Sequence, residues 1–216
     1  SQTTRYVAAL LRGMGLRVVA VRHPMPYGDL AAQACQRFGT YADLVTHECT
    51  IEEREENETH LDAGVVVYAG VDYGAILREA EAEADVVLWD GGNNDLPFYV
   101  PDLHLVLADP LRPGDEAAYH PGEANVRMAD LVIVAKCDSA TAEDIAAVEA
   151  SVRSLNPRAD VVRCDSPVTL DDPGAVTGRR VVVVEDGPTL THGSMSFGAS
   201  VVGARDAGAS EIVDPA

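Results

Sequence analysis

Short runs of continuous apolar, largely β-branched residues recur along the chain, spaced widely enough to admit helices between them. The runs are Arg17 to Val21, Val65 to Tyr68, Val86 to Trp89, Leu103 to Leu107, Leu131 to Val134, Val161 to Arg163 and Val181 to Val184, with Glu211 to Val213 as an eighth. A strand wet on one face alternates apolar with polar residues, so unbroken runs indicate strands covered on both faces. Helical patterns fall at Thr3 to Met14, Gly28 to Phe38, Asp72 to Glu83 and Thr141 to Leu155. In the last of these, Ser139 or Thr141 is a suitable cap ahead of Glu143 and Asp144. Strands alternating with helices predict the α/β class, with a doubly wound, mostly parallel sheet and helices on both faces. At 216 residues and 47% hydrophobic content the expectation is a single domain, 1–216, with a substantial core.

Charge and cysteine usage narrow the function classes. The formal net charge is -19, which argues against a nucleic-acid partner, because affinity for a phosphate backbone comes from clustered Lys and Arg. Lys136 is the only lysine among 16 basic residues, a balance that suits a salt-adapted or high-GC host. No run approaches the roughly 20 apolar residues of a membrane span and no charged-then-apolar leader is seen, so a soluble cytoplasmic protein is expected. Cys35, Cys49, Cys137 and Cys164 lack the short pairings of a zinc site and read as reduced thiols.

In open α/β sheets ligands sit beyond the carboxyl ends of the strands. Charged and amide residues gather at those ends here: Arg22 and His23, then Asp90 to Asp95, Asp109, Lys136 with Asp138, Ser166, and Glu185 with Asp186. Ser1-Gln2-Thr3-Thr4 runs straight into a helical pattern, as does the hydroxyl residue that closes a GxxxxGK[ST] phosphate loop and reaches magnesium. Ser1 and Gln2 are therefore expected at the nucleotide, with the first strand, the glycines and the loop lysine lying upstream and the domain cut at both ends. Val86-Val87-Leu88-Trp89-Asp90-Gly91 ends an apolar strand on a carboxylate, the arrangement that addresses magnesium, often through water. Ser1 and Asp90 are the expected metal-side pair.

Leu131 to Val134 leads into Ala135-Lys136-Cys137-Asp138, where a guanine-binding NKxD loop would lie. Lys136 and Asp138, with Ser166 after the next strand, are expected on the nucleotide. Ala135 stands where the asparagine would be, which leaves ATP and GTP both open. Arg22 and His23 are expected as substrate-side cations, since an arginine fork meets phosphate oxygens in two places. Asn93, Asn94 and Asp95 are expected to orient a phosphoryl acceptor or its water, although Gly-Gly-Asn-Asn-Asp is also a strong turn composition. Glu185, Asp186 and His192 read equally as site or loop, the other histidines have no telling spacing, and Glu52 to Glu58 reads as a solvated helical face.

Together these segments resemble the cyclic 2,3-diphosphoglycerate synthetase family. The matching stretches are Val21 to Leu30, Thr50 to Glu56, Tyr68 to Tyr73, Trp89 to Asp95, Asp109-Pro110 with Arg112-Pro113-Gly114, and Val184 to Gly193. The resemblance implies a P-loop NTPase-like fold, ATP with Mg2+, and closure of an intramolecular phosphoanhydride in 2,3-diphosphoglycerate. The chain departs from the family pattern in lacking the loop glycines and lysine. The expected partner is a small phosphorylated metabolite, with a homodimer left open. A GTP hydrolase and a nucleotide-gated chaperone or metal-delivery module are the competing readings on the same fold. One prediction rests on composition: the midpoint of thermal unfolding should rise from low to molar potassium chloride, and a level midpoint would remove the salt-adapted reading.

Overall fold

The structure is a computed structural model that describes residues 1–25, 28–92, 95–185, 190 and 195–213. Its elements run α1 (Gln2–Gly13), β1 (Val18–Arg22), β2 (Gln36–Phe38), α2 (Tyr41–Thr46), α3 (Ile51–Asp62), β3 (Val66–Ala69), α4 (Tyr73–Glu83) and β4 (Val86–Trp89). They continue with β5 (Leu105–Ala108), α5 (Asp115–Ala118), α6 (Gly122–Met128), β6 (Leu131–Val134), α7 (Ala142–Leu155), β7 (Asp160–Arg163), β8 (Arg180–Val181), α8 (Ala199–Asp206) and β9 (Glu211–Ile212). The chain divides into two compact units that interleave in sequence. The first takes Ser1–Leu107, Gly114–Val132 and Ser151–Asp160, and the second takes Ala108–Pro113, Ile133–Ala150 and Val161–Ala216. Among the described residues no helix is long and apolar enough to cross a membrane.

The first unit is built on a sheet in the order β2-β3-β1-β4. β1 pairs in parallel with β3 and β4, while β2 joins the edge antiparallel to β3. Alternation along β1 sorts the core into two faces. Val19 and Val21 join Tyr68, Ile76 and Ala80 under α4. Val18 and Ala20 join Ala8 and Val65 under α1, and on that side of β3 Val67 and Ala69 meet Phe38 and Leu44. Helices thus cover both faces, which is why the strands carry unbroken apolar runs. A fully buried residue such as Ile76 contributes about 1.5–3 kcal/mol by leaving water. Past the end of β4 the aromatic rings collect: Trp89 lies 5.4 Å from Tyr73, 5.6 Å from Phe98 and 5.9 Å from Tyr99, and Tyr73 stacks on Phe98.

A second sheet has the order β5-β6-β7, and a third joins β8 to β9 in parallel. The bonds Leu131 N to His104 O and Ala135 N to Ala108 O climb both strands together, as do Asp160 N to Asp130 O and Cys164 N to Val134 O. That ascent is the mark of parallel pairing. The mostly parallel α/β class expected from the sequence is therefore what forms.

Three expectations need correction. Gly28 to Phe38 is not a helix: Asp29 caps a turn by accepting from Ala31 N at 2.9 Å, and Gln36–Phe38 then pairs with β3. Gln36 and Phe38 are buried and Arg37 is exposed, a period of two that the helical reading overlooked. The run Val181 to Val184 forms a strand only at its first residue, as Arg180–Val181, and Val182 and Val184 are exposed. Leu103 is likewise exposed, and the strand there starts at Leu105.

β3 turns away through Gly70, whose φ of 153° is one that glycine adopts freely. A Cβ there would stand 2.5 Å from Ala34 O and 2.7 Å from Gln33 O, the backbone that Val71 and Asp72 bond to. Gly15 also has positive φ, at 86°, yet nothing lies within 4 Å of its missing Cβ. Denaturant unfolding should separate the two: about 1 kcal/mol lost in Gly15→Ala, from conformation alone, and about 3 kcal/mol or more in Gly70→Ala.

Candidate functional site

In the first sheet Arg22 stands opposite Ala69, and Trp89 opposite Val21. Asp90 therefore lies one residue beyond the last rung, and its N–H donates to Val21 O at 2.8 Å. Because side chains alternate along a strand, Arg22, Ala69 and Asp90 share the face covered by α1 and α3. α1 runs back along β1, so its first turn arrives at the same carboxyl edge. Ser1 caps that turn, accepting from Thr4 N at 3.2 Å, and its hydroxyl meets the Thr4 hydroxyl at 2.8 Å.

Asp90 is the centre of the arrangement and is only 5% exposed. Oδ1 accepts from Thr4 Oγ1 at 2.8 Å, and Oδ2 meets the Ser1 nitrogen and His60 Nε2, the latter at 2.9 Å. Arg22 stands 4.0 Å from Oδ2 and forms an ion pair with Glu56. Burial alone would raise the Asp90 carboxyl, but the bonds it accepts from His60 and Thr4 work against this, and the group is held well below the usual carboxylate range. His60 is fully buried, and its Nδ1 has no hydrogen-bond partner among the described residues.

The remaining expected residues fall into two groups. His23 Nδ1 lies 3.2 Å from Asp95 Oδ2 without hydrogen-bond alignment, and Asp95 Oδ2 also accepts from Gly92 N at 3.2 Å. Gln2 is exposed on the first turn of α1. Asn93 and Asn94 lie outside the described residues, as do Asp186 and His192. Lys136, Asp138 and Ser166 gather within the second unit instead. Lys136 Nζ donates to Asp109 Oδ2 at 2.7 Å, and its backbone N–H to Ser166 Oγ at 3.3 Å. Asp138 Oδ1 accepts from Ser166 N at 3.0 Å. Lys136 takes φ of 55°, a left-handed conformation that costs a non-glycine residue about 1–2 kcal/mol.

Residues 44–164 match a family model described as cyclic 2,3-diphosphoglycerate synthetase, P-loop domain. That span is more than half of the chain. The chain belongs to this family. Arginine synthetase ArcE of Thermococcus kodakarensis is 60% identical over 215 residues, covering 100% of this chain. The chain spans about half of that relative, 48% of its length. Among solved structures, the hydrogenase maturation factor HypB from Archaeoglobus fulgidus aligns over 76% of this chain and 86% of its own at 18% identity, with a TM-score of 0.34.

Within this P-loop family fold, sequence reasoning missed Thr4, His60 and the rest of the inner face of α3. The signal was available. Thr50 and Glu53 form a capping box, with Thr50 N bonding Glu53 Oε2 at 2.8 Å, and this fixes the phase of the helix. From that phase Glu53, Glu56, Asn57 and His60 fall on one stripe, and Asn57 and His60 are buried. The stripe is polar, so a search for apolar periodicity passes over it.

A pH dependence follows from Asp90. A carboxyl held below its ordinary value stabilises the fold fully above the unfolded value of about 4, and that contribution drains away as pH falls further. Urea unfolding at pH 6 and pH 3.5 should show a smaller acid-side loss in Asp90→Asn than in the parent, and equal losses would remove Asp90 as the source.

Proposed function

We propose that the chain forms part of the nucleotide site of an ATP-dependent synthetase that activates a small-molecule acceptor by phosphoryl transfer. The observation that carries this reading is the buried Asp90, held at the carboxyl edge by α1 and α3 in a P-loop family fold. Phosphoryl transfer asks a protein mainly for alignment and for balance of developing negative charge. Magnesium, were it bound, would supply positive charge to offset that of the nucleotide phosphates.

The Asp90 oxygens accept from Thr4 Oγ1 and meet His60 Nε2, a donor set that fits a role behind an intervening water or hydroxyl. No cluster of three or more His, Cys, Asp or Glu side chains among the described residues is placed to hold a metal. Ser1 Oγ would then be the group that holds the ion, while Thr4 and His60 fix the carboxylate and Arg22 supplies positive charge beside it. Lys136 and Asp138 remain the proposed base-side contacts, with ATP taken as the nucleotide and GTP as its alternative.

The acceptor reading that leads is an arginine-forming one, supported by 60% identity along the whole chain to a relative named arginine synthetase. In such a reaction the oxygen of a ureido amino acid takes the γ-phosphoryl group, and ammonia displaces phosphate to leave the guanidino group, with ADP released. The second reading is closure of 2,3-diphosphoglycerate to its cyclic anhydride, supported by the family model. The protein with its natural flanking sequence should form ADP with only one of two acceptor sets, L-citrulline with ammonia or 2,3-diphosphoglycerate. Chromatography of the products identifies which. Asp90→Asn should lower that turnover by about 100-fold or more while the fold persists. Turnover at the parent rate would remove Asp90 from the chemistry, and ADP formation with neither acceptor would return the protein to a simple hydrolase.

A further inference from the structure

The helix α1 has two apolar faces. Ala8 and Leu11 turn inward onto Val18, Ala20 and Val65. On the other side Tyr6, Leu10 and the C-cap Met14 recur at every fourth position and stand 66%, 52% and 73% exposed. Residues four apart lie one above another on a helix, so the three form a continuous ridge along the outer side of α1. A helix that covers a sheet normally turns polar residues to water there.

Beside the ridge runs a shallow trough of two small residues, Ala9 and Gly13, both exposed. Gly13 ends α1, its φ lies outside the left-handed region, and nothing stands within 4 Å of the Cβ it lacks. Neither the backbone nor crowding within the chain therefore calls for glycine, which costs a helix about 0.5–1 kcal/mol relative to alanine. A close approach from outside supplies a reason for it.

The far border of the trough is positive. Arg5 and Arg12 lie there two turns apart, and they are the only charged side chains of α1 in a chain whose formal net charge is -19. The face thus combines an apolar ridge, a trough without side chains and two guanidinium groups, on a protein whose surface charge is otherwise mostly acidic.

We propose that the outer face of α1 docks an amphipathic helix supplied by the sequence that flanks these residues in the whole protein. The apolar ridge of that helix lies in the trough, and carboxylates along its edge meet Arg5 and Arg12. Length supports this occupant, since the match takes only 48% of the arginine synthetase relative and a protein of that size carries a further domain's worth of chain. Charge speaks against a second copy. A two-fold contact sets the same patch against itself, and α1 would then bring arginine to arginine with no carboxylate on either helix. The docked helix holds from outside the same α1 whose first turn carries Thr4 onto Asp90.

The test uses the protein with its natural flanking sequence, carrying the photoreactive p-benzoylphenylalanine in place of Tyr6. Irradiation followed by peptide mass spectrometry should find crosslinks within one polypeptide, to peptides outside residues 1–216. Crosslinked product of twice the chain mass would put a second copy on this face and overturn the proposal. Crosslinks confined to residues 1–216, or none, would overturn it as well. Gly13→Leu gives an independent reading through its sign. On a helix open to water leucine is the better helix former and the thermal midpoint should hold or rise. Against a docked helix the added side chain is overpacked, and the midpoint should fall by about 3 °C or more, with a smaller fall in Gly13→Ala. A midpoint level or raised in both variants would overturn the proposal. Neither overturning result bears on the synthetase reading, which product formation tests.

Discussion

Asp90 carries a negative charge out of water, and the surrounding structure is arranged to make that tolerable. Taking an ionised carboxylate into a protein interior costs several kcal/mol unless donors replace the lost solvent. Thr4 comes from the first turn of α1, His60 from the last turn of α3, and the main-chain position from the end of β4. Three elements distant in sequence are thus tied to one side chain. α1 contributes a favourable field as well, since its amino end points at the carboxylate. Removing any one donor leaves the charge buried with less to hold it, so the packing of α1 and α3 on this edge and the state of Asp90 are linked.

The parts of the fold that were legible in the sequence are those where one physical rule acts alone. β1, β3, β4 and β6 are covered on both faces, and their apolar runs say so without ambiguity. Gln36 to Phe38 was hidden because three alternating residues are too few to establish a period of two against a longer helical pattern. Val182 to Val184 has the composition of a strand, but its valines are largely exposed, a choice that tertiary pairing makes and composition does not.

At the site the division is similar. Asp90, Arg22 and His23 follow strands and could be placed by topology alone, and the structure brings Ser1 and Asp90 together. His60 and Asn57 were invisible for the opposite reason, since nothing in a polar helical stripe distinguishes a face turned inward from one turned to water. For His60 the bond to Asp90 makes the distinction, and for Asn57 its burial. Lys136, Asp138 and Ser166 assemble around Asp109 in the second unit, through Lys136 Nζ to Asp109, Lys136 N to Ser166 and Ser166 N to Asp138.

The ring cluster beyond β4 has a practical consequence. Trp89 is the only tryptophan in the chain, and it immediately precedes Asp90 in sequence. Its indole is edge-on to Tyr73, Phe98 and Tyr99. Indole emission responds to the polarity and packing of its surroundings, and here a single fluorophore sits one peptide bond from the buried carboxylate. The protein therefore carries its own optical reporter at the carboxyl edge, with no second tryptophan in this chain to dilute the signal.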